Sequence, residues 1–438
     1  MDWKKVKEEA SEILSAYIRY RTVNPPGDEE DAARFLIDIL KKEGIPSEIF
    51  LSAPRRANVL SRLESKNPKG LIFLSHIDVV PADATKWDVD PFGGVRKKGY
   101  IWGRGALDDK GMGVMALMAL ILARRNGLKL ARDVVFLATA DEEVGGDFGA
   151  GYMVKNHRDK LKAACLLNEG GVQMKGLLPN GRSLFMNCVG EKGPTWLELK
   201  RAGTSGHGSV PLKDNAIYHL SRSLVRIAEK KRPIRILDEM EEFFYGLGCE
   251  LGGVKGFVMK GVRAPIIRKL VGALIAMDPQ LSAMIRDTVS LTKFTSGTKE
   301  NVIPDEARAT IDNRLLPGTD IDEYKKWLKK VIRDENIEIS EILTAAPSLS
   351  SYKTEFFNAI QSVAKDLEPK SVTLPMISTG FTDSRFFREL GIASYGLVPG
   401  PVTREDIKTI HGRNERISEE SLLFGIRFMY NLILKTCT

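Results

Sequence analysis

Three consecutive acids, Asp141-Glu142-Glu143, follow the apolar run Val134-Val135-Phe136-Leu137-Ala138-Thr139-Ala140. A short, continuous apolar run of this kind predicts a buried strand, so the acids stand at its carboxyl end. Close like charges repel and drive one another's pKa values up, which leaves three adjacent carboxylates hard to explain structurally. A divalent cation resolves the conflict, taking one carboxylate as a ligand and leaving its neighbour to act as a general base. For this segment the functional reading stands ahead of the plain one.

Other segments share that placement. Leu71-Ile72-Phe73-Leu74-Ser75 leads into His76 and Asp78, two residues apart and so directed the same way. A carboxylate beside an imidazole suits a partner that fixes its tautomer. Taken alone, however, a histidine finishing a strand in a satisfied hydrogen bond is the plainer account. Gly103-Arg104-Gly105-Ala106-Leu107-Asp108-Asp109-Lys110-Gly111 fits neither the dinucleotide nor the P-loop spacing. Asp108 or Asp109 there is as readily a helix cap as a ligand. Ala163-Asn168 precedes Glu169-Gly170-Gly171, and Thr409-Ile410-His411 adds a distant histidine. The chain has only five histidines, so their placement is informative. His76 and His411 fall in these segments and His207 in a glycine-rich loop, whereas His157 and His219 lie in ordinary helical patterns.

Positioning such groups requires a sheet whose strand ends converge. The sequence predicts helices at 3–19, 29–43, 110–125 and 150–157, and strands at 47–50, 58–63, 71–75, 133–140 and 163–168. Apolar strands alternating with helices argue for an α/β domain with a mostly parallel, doubly covered sheet. Beyond Gly190-Gly193 the pattern changes. Residues 195–201 alternate like a half-exposed antiparallel strand, 215–229 form a helix, and a largely helical stretch spans 237–291. A strand at 306–314, a helix at 320–333 and a strand at 337–343 complete an inserted α+β domain over 194–347. The α/β pattern resumes with a helix at 356–367, a strand at 393–398 and a helix at 418–434. The expected organisation is a catalytic domain of 1–193 and 348–438 interrupted by that insertion.

Composition narrows the function classes. With 438 residues, 43% hydrophobic and 28% charged, the chain is an ordinary globular one of two or three domains. Its net charge is +8, but the basic residues are dispersed and lack interleaved aromatics. That argues against a nucleic-acid partner. Cys165, Cys188, Cys249 and Cys437 form no CxxC pair, signalling neither a disulfide framework nor a thiolate metal site. No stretch approaches the roughly 20 apolar residues of a membrane span, and no signal core follows Met1. A cytoplasmic protein without a membrane partner is the expectation.

The segments SHIDVVP (75–81), WDVDPFGG (87–94), GYIWGRGALDDKG (99–111), TADEEVGG (139–146), NEGG (168–171), GTSGHGSVP (203–211), ENVIPDEARATIDNR (300–314), STGFTDSR (378–385) and HGRNERI (411–417) run nearly the length of the chain. Together they resemble, in order, the metallopeptidase family of aminoacylase, succinyl-diaminopimelate desuccinylase, glutamate carboxypeptidase and carnosinase. The resemblance implies two divalent ions per chain, zinc first, with cobalt or manganese also compatible with carboxylate and imidazole donors. His76, Asp108 and Glu169 would hold one ion. Asp108, Glu143 and His411 would hold the other, with Asp108 bridging. Asp78 would orient His76, Glu142 would activate the attacking water, and His207 would stabilise the oxyanion. Asn301, Arg314, Gly380 and Thr382 would bind a substrate carboxylate. The GYIWGRGALDDKG and GEKG segments and the apolar helical insertion are similar to the carboxypeptidase S and N-acyl-amino-acid hydrolase branch. The implied reaction is cleavage of an N-acyl amino acid or small peptide with a free carboxylate. Desuccinylase or acetylornithine deacetylase-like activity, and a non-catalytic binding protein on the same fold, are the alternatives. The resemblance also implies a homodimer formed through the inserted lid domain.

Overall fold

The runs Leu71-Ile72-Phe73-Leu74 and Val134-Val135-Phe136-Leu137 are apolar at every position, so both need cover on two faces. They form the adjacent parallel strands Gly70–His76 and Val134–Thr139, buried throughout. Ala163–Met174 lies parallel beside Gly70–His76, and Ala393–Val402 lies parallel beside Ala163–Met174. Antiparallel strands flank this parallel centre. Arg56–Leu63 and then Ser47–Ala53 follow Val134–Thr139, and Leu184–Glu191 borders Ala393–Val402. This is the α/β sheet anticipated above.

The structure, a computed structural model, describes residues 1–438 apart from the side chain of residue 180. It divides into two units: Met1–Val189 with Ser350–Met376 and Thr382–Thr438, and Gly190–Leu349 with Ile377–Phe381. In the first unit, alternate strand residues feed two cores. Leu71, Phe73, Val134 and Phe136 pack with the helices Lys110–Arg125 and Glu419–Cys437. Ile72, Leu74, Val135 and Leu137 pack with Ala150–Asn156 and Ser384–Glu389. Each such buried side chain contributes about 1.5–3 kcal/mol over an exposed one. Lys110–Arg125 is buried from Lys110 to Ala123. Its one internal cation, Lys110, donates to the carbonyls of Tyr17 and Tyr20, and burial pulls its amine down to about 7.

The second unit is built on an antiparallel sheet in the order Thr288–Ser296, Glu306–Leu315, Gly193–Ala202, Ile337–Thr344. Glu306–Leu315 alternates buried and half-buried side chains along its whole length. The buried set, with Leu197 and Leu199, meets the helices Ala216–Glu229 and Ile321–Ile332. Arg314 and Asp312 therefore lie on the face away from those helices.

Sequence periodicity failed at three places. The stretch read as helical over 237–291 breaks into Asp238–Leu251, Gly253–Lys260, Arg268–Ile275 and Pro279–Met284, and from Thr288 it is strand. A register shift between Leu291 and Lys293 moves the outward phase by one residue and hides the period of two. Leu184–Glu191 was not anticipated, because Asn187 and Gly190 interrupt its apolar run. Val372–Ser378 carries Pro375 at its middle, which argues against a strand except at the limited pairing it has here. Among the described residues no helix is long and apolar enough to cross a membrane.

Candidate metal centre

His76 ends the strand Gly70–His76, paired in register with Thr139 at the end of its parallel neighbour. Glu142 and Glu143 follow that neighbour after Ala140 and Asp141. Glu169 lies inside Ala163–Met174 where the ladder slips, since Asn168 pairs with Gly396 and Val172 with Val398. The extra residues bulge out of the ladder, and Gly170 supplies the positive φ of 107° that the bulge requires. Asp108 precedes the helix Lys110–Arg125 across a cis peptide to Asp109. Asp109 occupies the N-cap position without a capping hydrogen bond; its carboxylate instead accepts from the His76 N–H at 3.3 Å. The capping account of this acidic pair therefore does not hold.

These residues converge in two sets, His76 with Asp108 and Glu169, and Asp108 with Glu143 and His411. Within each set the ligand atoms lie within 4.8 Å of one another. Asp108 faces both ways. Its Oδ1 is 3.1 Å from His76 Nε2 and its Oδ2 is 3.1 Å from His411 Nε2. Glu143 Oε2 is 3.2 Å from His411 Nε2, and Glu169 Oε1 is 3.8 Å from His76 Nε2. Ligands bound tetrahedrally at about 2.0–2.1 Å stand about 3.3–3.4 Å apart, close to these separations. The His76 Nδ1 lies 2.9 Å from the Asp78 carbonyl oxygen. A carbonyl only accepts, so Nδ1 carries a proton and Nε2 is the ring atom that faces Asp108 and Glu169 and could meet an ion. Glu143 Oε1 is buried and lacks a hydrogen-bond partner in the structure. The donor set fits two divalent ions.

The electrostatics describe a site short of positive charge. Burial, with Asp108 and Glu142 nearby, holds the Glu169 carboxyl well above its ordinary range. Burial, with Asp383, Glu143 and Asp108 close, does the same to Glu142. Burial works against the Asp108 carboxylate, but hydrogen bonds to His411 and His76 hold its pKa below the usual value. His411, bonded to Asp108 and Glu143, is pushed up to about 10. His76 rises well above its usual value despite burial, through Asp108 and Asp78.

Two residues that serve this cluster carried no signal of their own in the sequence. Glu415 is fully buried. Its Oε1 accepts from the N–H groups of Leu107 and Asp108 at 2.9 and 3.0 Å, and its Oε2 from Arg104 Nη1 at 2.6 Å. It therefore clamps the loop bearing Asp108 to the segment bearing His411. Asp383 is buried, accepts from Thr139 Oγ1 at 3.1 Å and, through that burial, is pushed up to about 7. Gly146, at φ 74°, leaves it room: a Cβ there would lie 2.3 Å from Asp383 Oδ1. Both acids sit in the quoted motif segments, which was the one signal available.

The remaining candidates, Thr382 excepted, belong to the second unit. His207 is exposed on the short strand Gly206–His207, paired with Val302–Ile303. The Ser209 N–H donates to His207 Nδ1 at 3.2 Å, so the neutral ring keeps its proton on Nε2. Asn301 lies in the same place, its carbonyl accepting from the Gly208 N–H at 2.8 Å. Arg314 forms two hydrogen bonds to Asp312, at 2.8 and 3.1 Å, between the rings of Trp196 and Phe381 at 5.6 and 5.2 Å. The Gly380 N–H donates to Ser378 Oγ at 3.1 Å. Thr382 is buried in the first unit, its hydroxyl accepting from Asn168 Nδ2 at 3.3 Å and the Ser384 N–H at 3.2 Å.

Comparison with known proteins bears on this geometry. Residues 72–435 match the model described as Peptidase family M20/M25/M40. The chain is 29% identical over 454 residues to the N-fatty-acyl-amino acid synthase/hydrolase PM20D1 of Xenopus tropicalis, covering 99% of this chain and 87% of that protein. It is 31% identical over 378 residues to the probable carboxypeptidase S-like 2 of Dictyostelium discoideum, covering 84% and 72%. Among solved structures it resembles the M20 family metallo-carboxypeptidase Sso-CP2 of Sulfolobus solfataricus. The TM-score is 0.73, with 22% identity and coverage of 97% and 98%.

Proposed function

The chain belongs to peptidase family M20/M25/M40, and from that premise we propose that this hydrolase uses two divalent ions to cleave the amide bond of an N-acyl amino acid or small peptide with a free carboxylate. The observation that carries this reading is Asp108, whose two carboxylate oxygens each face a different histidine at 3.1 Å.

Two ions, zinc or alternatively cobalt or manganese, held by His76, Asp108 and Glu169 and by Asp108, Glu143 and His411, would supply Lewis acidity and a nucleophile usable at neutral pH. The chain's own groups do the rest. Glu142 accepts a proton from the attacking water and delivers it to the leaving nitrogen, a role suited to a buried carboxylate of raised pKa. Asp78 orients His76. His207, with its proton on Nε2, donates to the developing oxyanion. Asn301 and Arg314 grip the substrate carboxylate, with backbone contacts from the loop of Gly380 and Thr382. An apolar acyl group is supported by the relatives named N-fatty-acyl-amino acid synthase/hydrolase, and a free carboxylate by those named carboxypeptidase S-like.

The second unit acts as a lid and as the surface of a homodimer. The strand Thr288–Ser296 pairs on one side only among the described residues. Phe294 on it is 44% exposed, and the helical segment nearby in sequence exposes Phe257 at 72% and Ile266 at 98%. This apolar exposure supports the reading of a contact surface there.

A panel of N-acyl amino acids, dipeptides and succinyl-diaminopimelate, each paired with its carboxamide, tests the substrate class with one variant. Arg314→Ala should raise KM for the carboxylates about tenfold or more while leaving the amides nearly unchanged, because only the former lose an ion pair. Equal losses on both would make Arg314 a structural residue of the lid.

A further inference from the structure

Asp78 and Asp141 are buried carboxylates within reach of one side chain, the amide of Asn24. Its Nδ2 donates to Asp78 Oδ2 at 2.8 Å and to Asp141 Oδ1 at 3.1 Å, and all three residues are buried. Ionised carboxylates only accept, so the amide has one workable orientation, with nitrogen toward both acids and one N–H for each.

Both carboxylates lead into the same loop. Asp78 Oδ1 accepts from the Glu142 N–H at 3.1 Å, and Oδ2 from the Glu143 N–H at 3.2 Å. It thus ties that loop to the strand end that carries His76. Asp141 is the turn before Glu142, at φ 73° and ψ 7°. Residues with a Cβ seldom adopt this left-handed conformation, which persists where the surroundings enforce it. Three donors enforce it here: Asn24 Nδ2, Arg56 Nη2 at 2.6 Å and the Phe148 N–H at 3.0 Å. Arg56 extends the lattice backwards. Its Nη1 donates to the Pro26 carbonyl at 2.8 Å, and its Nε lies 2.9 Å from Glu29 Oε2.

We propose that Asn24 is a positioning residue of the hydrolytic site, with Arg56 behind it: its amide fixes Asp78 against Asp141 and so sets where Glu142 and Glu143 stand. The proposal rests on the roles given above to those two glutamates. A neutral group with two donors is what two neighbouring carboxylates require. An aspartate of the same shape would add a third negative charge and remove both donors. The partners of Asn24 and Arg56 named above include none of the residues proposed to grip the substrate. Their loss should therefore fall on kcat and on ion affinity, leaving KM alone.

The test compares Asn24→Ala and Asn24→Asp with wild type, measuring zinc affinity by chelator competition and steady-state kinetics on the best N-acyl amino acid or dipeptide. In folded Asn24→Ala, kcat should fall about 10²-fold with KM within threefold, and the weaker of the two zinc affinities should drop about 10–100-fold. Asn24→Asp should be worse on both counts. Folded Asn24→Ala with kcat and zinc affinity within twofold of wild type would overturn the proposal, as would a loss of thermal stability alone. Should Asn24→Ala not fold, Arg56→Lys is read by the same criteria, since it keeps the charge and loses the fork that meets Asp141. Glu142→Gln separates the two claims. If it is inactive while Asn24→Ala is normal, only the positioning role fails; if it is fully active, the reading of the glutamates fails first.

Discussion

Glu142→Gln is expected to lower kcat by about 10²–10⁴ while leaving the fold and both ions in place, a loss of about 3–5 kcal/mol of transition-state stabilisation. Glutamine keeps the shape but cannot accept the proton of the attacking water. The geometry gives reason to expect intact ion binding, because Glu142 is in neither ligand set. Its backbone N–H, which anchors the loop to Asp78, survives the change. Glu143→Gln should behave in the opposite way. Glu143 Oε2 stands 3.2 Å from His411 Nε2 beside Asp108, so its replacement should weaken one ion first and activity as a consequence. Metal content and kcat measured on both variants decide the assignment. If Glu142→Gln loses an ion and Glu143→Gln does not, base and ligand are exchanged.

His207→Ala should be nearly inactive as well, and mixing experiments tell which subunit it serves. Removing one oxyanion donor costs about 10²–10³ in kcat in a comparable role. His207 is exposed, and its Nδ1 is occupied by the Ser209 N–H, which leaves Nε2 free to donate outward. In a two-fold dimer built through the second unit, that donor would serve the neighbouring subunit's site. Glu142→Ala carries a sound histidine and no base; His207→Ala carries a sound base and no histidine. Random reassortment of equal amounts makes half the dimers mixed, each with one complete site, so about a quarter of wild-type activity should return. No recovery, with subunit exchange verified by mass, would assign His207 to its own chain.

How far residues alone foretold this site depends on how local each signal was. His76 and the three acids after Thr139 were visible because the strands before them are apolar on both faces, so the boundary between buried and functional residues is sharp. Asp109 looked like a helix cap from its neighbours. Only the packed structure shows its carboxylate accepting from the His76 N–H. Asn24 precedes two prolines and carries no local signal of a site, yet its partners lie 54 and 117 residues away. Glu415 meets the Leu107 N–H across 308 residues. No period or spacing encodes such contacts, because they exist only once the sheet has brought its strand ends together. The strand Thr288–Ser296 failed for the opposite reason: a local slip in register erased a period that was there.

The most direct test of the account is the metal content of the purified chain against its activity. Elemental analysis should find about two divalent ions per chain, and exhaustive chelation should abolish hydrolysis that zinc, cobalt or manganese then restores. A protein without bound metal that hydrolyses its substrate undiminished in excess chelator would contradict the reading of His76, Asp108, Glu143, Glu169 and His411 as ligands.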